Sequence, residues 1–318
     1  MKNILLDHIR EARLICQYYS PFLFSRVDEG KMVFVADGRF PHGGMFDRLK
    51  GAVSVYAAAQ CIGREFRILF SHPFDLRDYL EPAAYDWRID AEALAHRFPL
   101  ARPIFMYGEG RNPKRLVRRR GCESHFYLGF DALEWLNRRF GANFEFGELY
   151  RQLFRPTAKL YAYIRHYREE IGGKYIAAHF RFMNLIGDTT EFTSINPTLP
   201  EYEQKVLIEK SLEQLRLVAQ HPLVANGEAR VMLATDSAVF TNVVREAMPQ
   251  VYVAPGEIRH IGTATDNSDA SNIKMFLDYY LIAGAEKVYN FVSNGMWKSA
   301  FPEYAAKIGN APFERIFY

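Results

Sequence analysis

From residue 174 to residue 308 the chain alternates short apolar runs with segments of helical periodicity, and few folds accommodate that pattern. Tyr175 to Phe180, Arg230 to Ala234, Val251 to Ala254 and Lys287 to Phe291 read as strands. Glu201 to Gln220, Ala238 to Ala247, Ser271 to Ala283 and Gly295 to Ile308 read as helices between and after them. The first strand is apolar at consecutive positions, as strands buried on both faces of a parallel sheet are. Thr198 and Glu201 form a TxxE capping box before the first helix, whose apolar stripe is Ile208, Leu212, Leu215 and Ala219. Short right-handed crossovers then give a parallel sheet with helices on both faces, a Rossmann-like half.

Polar residues cluster where such a sheet binds ligands. His179, Phe180 and Arg181 end the first strand, Thr235, Asp236 and Ser237 follow the second, and Ser293, Asn294 and Gly295 follow the last. All three groups fall at carboxyl ends of parallel strands and so converge on one crevice. Alternation sends His179 and Arg181 the same way. Arg181 can clamp a phosphate with two parallel charge-assisted bonds, or it can pair with a carboxylate at the strand end. Ser293 is placed to open a helix, whose free N–H groups favour phosphate, although Ser293 and the Thr235–Ser237 run are also good helix caps in their own right. Asp188 and Glu191, in the loop after the first strand, are the carboxylates available as a general base, and Asp47 is an outsider for that role.

Earlier in the chain, Leu5, Ile9, Ala12 and Cys16 fall at helical spacing over residues 1 to 20. Lys31 to Ala36 reads as a strand and Ala52 to Ile62 as a helix, joined by DGRFPHGGMFDRLKG with Gly38, Gly43, Gly44 and Gly51. Such a turn lets backbone amides approach a ligand, or serves only as a tight connection. Glu65 to Ser71 is a further strand; Ala132 to Phe140 and Phe146 to Glu170 read as helices, the second divided or kinked at Pro156. The segment 111–120 carries Arg111, Lys114, Arg115, Arg118, Arg119 and Arg120, a solvated basic loop or a contact for an anionic acceptor or membrane surface.

Several chemistries lack their motifs. There is no DxD and no HExxH, so a divalent metal on a diphosphate has no obvious ligand pair, and none is expected. GxxxxGK[ST], GxGxxG and GxSxG are absent too. The 40 basic and 37 acidic side chains nearly balance, which excludes nucleic acid as a bulk partner and confines any anion site to a local cluster. Three cysteines without metal spacing fit a reducing compartment. No run reaches the length of a membrane span and the amino terminus is not a signal-peptide core, so a cytoplasmic location is expected. What remains is a diphosphate held by arginine, amides and hydroxyls, an arrangement suited to a glycosyltransferase.

Here the residues resemble a known group, the GT-B fold fucosyltransferase superfamily, which includes the α1,2-, α1,6- and protein O-fucosyltransferases. Its HxRxxD-like motif is similar to His179-Phe-Arg181-Phe-Met-Asn184, with asparagine at the last position. Ala234-Thr235-Asp236 resembles the strand ending in ATD, FLDYYLIAGAEKVYNFVSNGMWKSA the terminal block, and GGMFDRLKGAVSVYAAAQCIGREFRI the glycine-rich turn and helix. Residues 83–165 match nothing in that pattern. The resemblance implies an α/β, GT-B-like chain of two Rossmann-like domains facing a cleft, an acceptor-side domain over 1–165 and a donor domain over 166–318. It implies GDP-fucose as donor substrate, no cofactor, a glycan hydroxyl as acceptor and inversion at the anomeric carbon. Arg181 would hold the β-phosphate, His179 and Asp278 would address guanine, Ser293 and Asn294 the diphosphate, and Gly43 and Gly44 would lie across the cleft; Thr235 and Asp236 complete the donor set. The alternatives are a same-fold glycosyltransferase with another nucleotide sugar, and a non-catalytic sugar-nucleotide or glycan-binding protein.

Overall fold

A computed structural model of the chain describes residues 2–21, 30–40, 42–106, 112–118, 121–188, 197–256 and 268–318. They fall in two compact units, Met1–Thr157 and Ala158–Tyr318. The boundary follows Pro156, which separates helix α4 (Phe146–Leu153), the successor of α3 (Leu133–Phe140), from α5 (Ala158–Ile171). Without an N–H, and with the preceding residue pushed toward extended geometry, proline ends the periodic stretch there. The division at 165 read from sequence falls inside α5.

In the first unit, β1 (Met32–Ala36), β2 (Phe66–Phe70), β3 (Ala101–Met106) and β4 (Glu123–Leu128) form a parallel sheet in the order β2-β1-β4-β3. The last two strands lie within residues 83–165, which match nothing in the resemblance. The helix after β1, α2, runs Met45–Ile62 and so takes in half of the presumed loop. Gly51 looked like a turn residue. It lies within α2, where an added Cβ would sit 2.4 Å from the Leu128 carbonyl oxygen, so its role is close packing on the strand. Helix α1 (Lys2–Tyr18) forms as expected, yet Leu5 and Ile9 of its predicted stripe are exposed while Leu14 is buried. Glu11 decides the docking face. Its carboxylate accepts from the Phe105 amide (2.8 Å) and pairs with Arg115, turning the other face outward. Arg115 is thereby an internal cation. Arg111, Arg119 and Arg120 of the same basic segment lie outside the described residues.

The second unit contains β5 (Lys174–Phe180), β6 (Ala229–Thr235), β7 (Tyr252–Val253), β8 (Lys287–Val292) and β9 (Phe313–Phe317), all parallel, in the order β7-β6-β5-β8-β9. Helices α6 (Glu201–Ala219), α7 (Ala238–Ala247), α8 (Asp269–Ala283) and α9 (Phe301–Gly309) complete it. Ile176, Ala178 and Phe180 of β5 join Leu212 and Leu215 of α6 and Phe240 and Val244 of α7 in one core layer. The alternate residues Tyr175 and His179 turn to the other face, where Tyr175 bonds the Leu281 carbonyl (2.6 Å) and His179 packs on Phe301 (5.6 Å). Two expectations about helix starts fail. The capping box is not formed: Pro200 occupies the cap of α6 and makes no side-chain bond. Helix α9 begins at Phe301, not at Gly295, because Gly295 takes a left-handed φ of 83° and Pro302 fixes the first turn.

Candidate anion-binding site

In the second unit the strand order reverses between β5 and β8, so the loops after those strands flank the switch point where open α/β sheets bind ligands. Arg181 follows β5. Ser293 and Asn294 follow β8, and Thr235 ends the adjacent β6 with Asp236 next to it. These groups therefore share one edge of the sheet, and their individual tasks differ.

Asp236 is the pivot. Its carboxylate oxygens accept from the Phe182 and Met183 amides, each at 2.8 Å, and Oδ2 lies 3.7 Å from Arg181 Nε. Met183 sits at a left-handed φ of 54°, a costly conformation outside glycine, and the two amide bonds hold the chain through it. Burial raises the Asp236 carboxyl above its ordinary range, against the pull of Arg181 and the two amides. Asp236 thus braces the Arg181 loop, where sequence had it among the donor contacts. The Arg181 side chain is 19% exposed. No described residue bonds its two terminal nitrogens, so a planar two-point donor is left for a ligand.

His179 is buried and neutral. Arg315 Nε can only donate, and it bonds Asn290 Oδ1 at 2.9 Å, so the Asn290 amide nitrogen faces His179 Nδ1 at 3.2 Å. Nδ1 must accept and the ring proton resides on Nε2. Burial, with Arg181 and Arg315 nearby, lowers the imidazole to about 3. The depressed value means that stability from this neutral ring is complete above the unfolded value of about 6.5 and is lost as pH falls toward 3. Between pH 6.5 and 5 the loss should be about 2 kcal/mol. Urea denaturation at both pH values checks this: His179→Gln should flatten the dependence, and an unchanged pH profile in the variant would assign the loss elsewhere.

The remaining candidates are placed as follows. Thr235 Oγ1 accepts from the Ser237 amide (3.3 Å), and Ser237 caps α7. Asp188 Oδ2 accepts from Ser237 Oγ (2.6 Å) and the Val239 amide (3.0 Å), so this carboxylate helps hold the start of α7. Glu191 lies outside the described residues. Asp278 is buried against Lys274, its partner one turn earlier on α8, and burial raises its carboxyl. Ser293 Oγ donates to the Tyr318 carbonyl (3.1 Å) and does not open a helix, while Asn294 is exposed. Gly43 and Gly44 belong to the first unit, where Gly44 is the cap of α2 and Gly43 O accepts from Arg48 Nε at 3.0 Å. Asp47 pairs with Lys50 at 2.6 Å. Sequence reasoning missed Trp297, whose amide bonds the Arg181 carbonyl (3.3 Å) and whose side chain is 52% exposed.

The fold and the polar switch point together are those of a GT-B type α/β chain. No protein-family model matches the sequence, and no curated protein matches it by sequence. Solved structures do match. NodZ α-1,6-fucosyltransferase soaked with GDP-fucose is similar with a TM-score of 0.54 and 16% identity, over 88% of this chain and 93% of that one. Fucosyltransferase NodZ from Bradyrhizobium gives 0.54 and 16% over 87% and 92%. A mutant of Arabidopsis thaliana FUT1 in complex with GDP gives 0.59 and 12% over 98% and 74%. The chain therefore has the fold of these GT-B fucosyltransferases. Among the described residues, no helix is long and apolar enough to cross a membrane.

Proposed function

We propose that the chain is an inverting glycosyltransferase that transfers L-fucose from GDP-fucose to a glycan hydroxyl without a metal ion. The observation that carries this reading is Arg181, braced by Asp236 at the switch point with its outer nitrogens free of described partners. As the bond to the sugar breaks, negative charge gathers on the departing diphosphate, and a fixed guanidinium stabilises that charge more than it stabilises the ground state. A neutral His179 supplies an Nε2–H donor without adding a second positive charge. The GDP and GDP-fucose complexes of the structural neighbours support the choice of donor. The absence of a DxD pair supports metal independence.

The test is release of GDP from GDP-fucose, measured with neutral oligosaccharides as acceptors and with EDTA present. Release should exceed that from GDP-mannose and survive the chelator. A strict need for Mg²⁺ or Mn²⁺ would remove the metal-independent step. Release no faster than in folded Arg181→Ala would leave a sugar-nucleotide-binding protein.

A further inference from the structure

Helix α1 lies on the first unit with its apolar stripe turned outward. Leu5, Ile9, Ala12 and Cys16 are spaced to share one face, and all four are exposed, Leu5 by 62% and Ile9 by 55%. At 3.6 residues per turn Leu6 and Arg13 flank that stripe, and both are exposed as well. The opposite face carries Leu14, which enters the core with Val33, Val35 and Phe105. Among the described residues of the first unit, the large apolar side chains left exposed are Leu5, Leu6, Ile9, Tyr18 and Phe140. Four of these five belong to α1, and three of them make one patch in its first turns. Single exposed apolar side chains are ordinary, whereas a contiguous patch rimmed by polar groups marks an interaction surface.

Charge selects the partner. Both carboxylates of α1 are withdrawn from the surface. Asp7 is buried and pairs with Arg10 at 3.5 Å. Glu11 serves the Phe105 amide and Arg115, with His8 on its other oxygen at 3.0 Å. The cations stay outside. Arg13 is exposed, and Arg10 lies with its guanidinium over the Phe105 ring at 4.8 Å and its side chain still 41% exposed. The pairing of Arg115 with Glu11 also fixes the turn Pro113–Arg115 beside α1, and Lys114 and Arg118 of that segment are exposed. The result is an apolar ridge bordered by cations, with no exposed carboxylate among the described residues of α1. An anionic lipid surface matches it, because the apolar side chains enter the acyl boundary while Arg and Lys meet the head-group phosphates. A second copy matches it poorly. It would set the same cations against one another, and one helical ridge falls far short of the roughly 20–30 residues a side of a standard protein interface.

We infer that α1 docks this protein on an anionic membrane surface, lying in the plane of the interface with Leu5, Leu6 and Ile9 inserted and Arg10, Arg13, Lys114 and Arg118 at the head groups. The inference does not depend on the glycosyltransferase reading. The experiment is co-sedimentation of the full chain with vesicles of phosphatidylglycerol and phosphatidylcholine in equal parts, and with vesicles of phosphatidylcholine alone. Binding to the mixed vesicles should be stronger by about a hundred-fold or more and should weaken as salt is added. The double variant Leu5→Gln, Ile9→Gln should weaken it by about ten-fold or more. Arg13→Gln and Lys114→Gln should each weaken it by about five-fold. All four side chains are exposed, so every variant should keep the wild-type melting temperature. No binding to the mixed vesicles, equal binding to both kinds, or binding unchanged in the double variant would overturn the proposal. A wild-type dimer in sedimentation velocity that the double variant converts to a monomer would overturn it too, by giving the ridge to a second copy. So would a fall in melting temperature, which would make the ridge part of the fold.

Discussion

Arg181→Ala should reduce kcat/KM for transfer from GDP-fucose by about 3–4 kcal/mol, on the order of 10²–10³-fold, with the protein still folded. The size is that of removing one fixed donor to a developing anion, and the residue qualifies because its outer nitrogens have no described partner. Arg181→Lys should restore little, since an ammonium cannot reproduce the planar two-point contact. A purely structural ion pair with Asp236 predicts another pattern, lower thermal stability with near-normal turnover. Steady-state kinetics beside a melting curve separate the two, and wild-type transfer rates in folded Arg181→Ala would end the assignment.

The second large effect is expected at Asp236. Alanine there leaves the Phe182 and Met183 amides without an acceptor and Arg181 without its counter-charge, at a position where Met183 is already held at a costly φ. Breaking a buried pair of this kind costs about 3–5 kcal/mol. Urea denaturation reads that loss. Asp236→Asn keeps the shape and one acceptor oxygen, so it should fold, with the Arg181 loop loosened and the affinity for GDP reduced. If Asp236→Asn binds GDP as the wild type does, the carboxylate is not what positions Arg181.

The sequence carried the second unit's architecture in its periodicity. Helix Ala238–Ala247 was readable to the residue, because Ser237 caps it and the apolar spacing ends at Ala247. Pro156 was readable as the break in the helical stretch over 146–170, whereas the boundary between the units, expected at 165, falls just after that proline. What could not be read was how the polar residues at the strand edge divide the work. Asp236 serves amides some fifty positions away in the chain, and Asp188 serves a helix that begins after Ser237. Such pairings depend on which strands lie side by side, and spacing along the chain does not encode them. For the same reason Glu11 sent the apolar residues Leu5 and Ile9 of α1 outward: a bond to β3 outweighed the periodic stripe. Strands β3 and β4 went unrecognised because Arg102, Pro103, Glu123 and His125 interrupt their apolar runs. His125 is nevertheless fully buried, its ring bonded to Tyr19 at 2.6 Å and to Glu123 at 2.7 Å.

A guanosine diphosphate site built on Arg181 is the core of the proposed activity, and nucleotide titration tests it most directly. In buffer containing EDTA, calorimetry and thermal shift should show GDP binding more tightly than UDP, ADP or CMP. A hundred-fold excess over Kd corresponds to about 2.7 kcal/mol of added stability, and the preference should vanish in Arg181→Ala. Equal binding of all four nucleotides, a preference for UDP, or GDP affinity unchanged in Arg181→Ala would contradict the account.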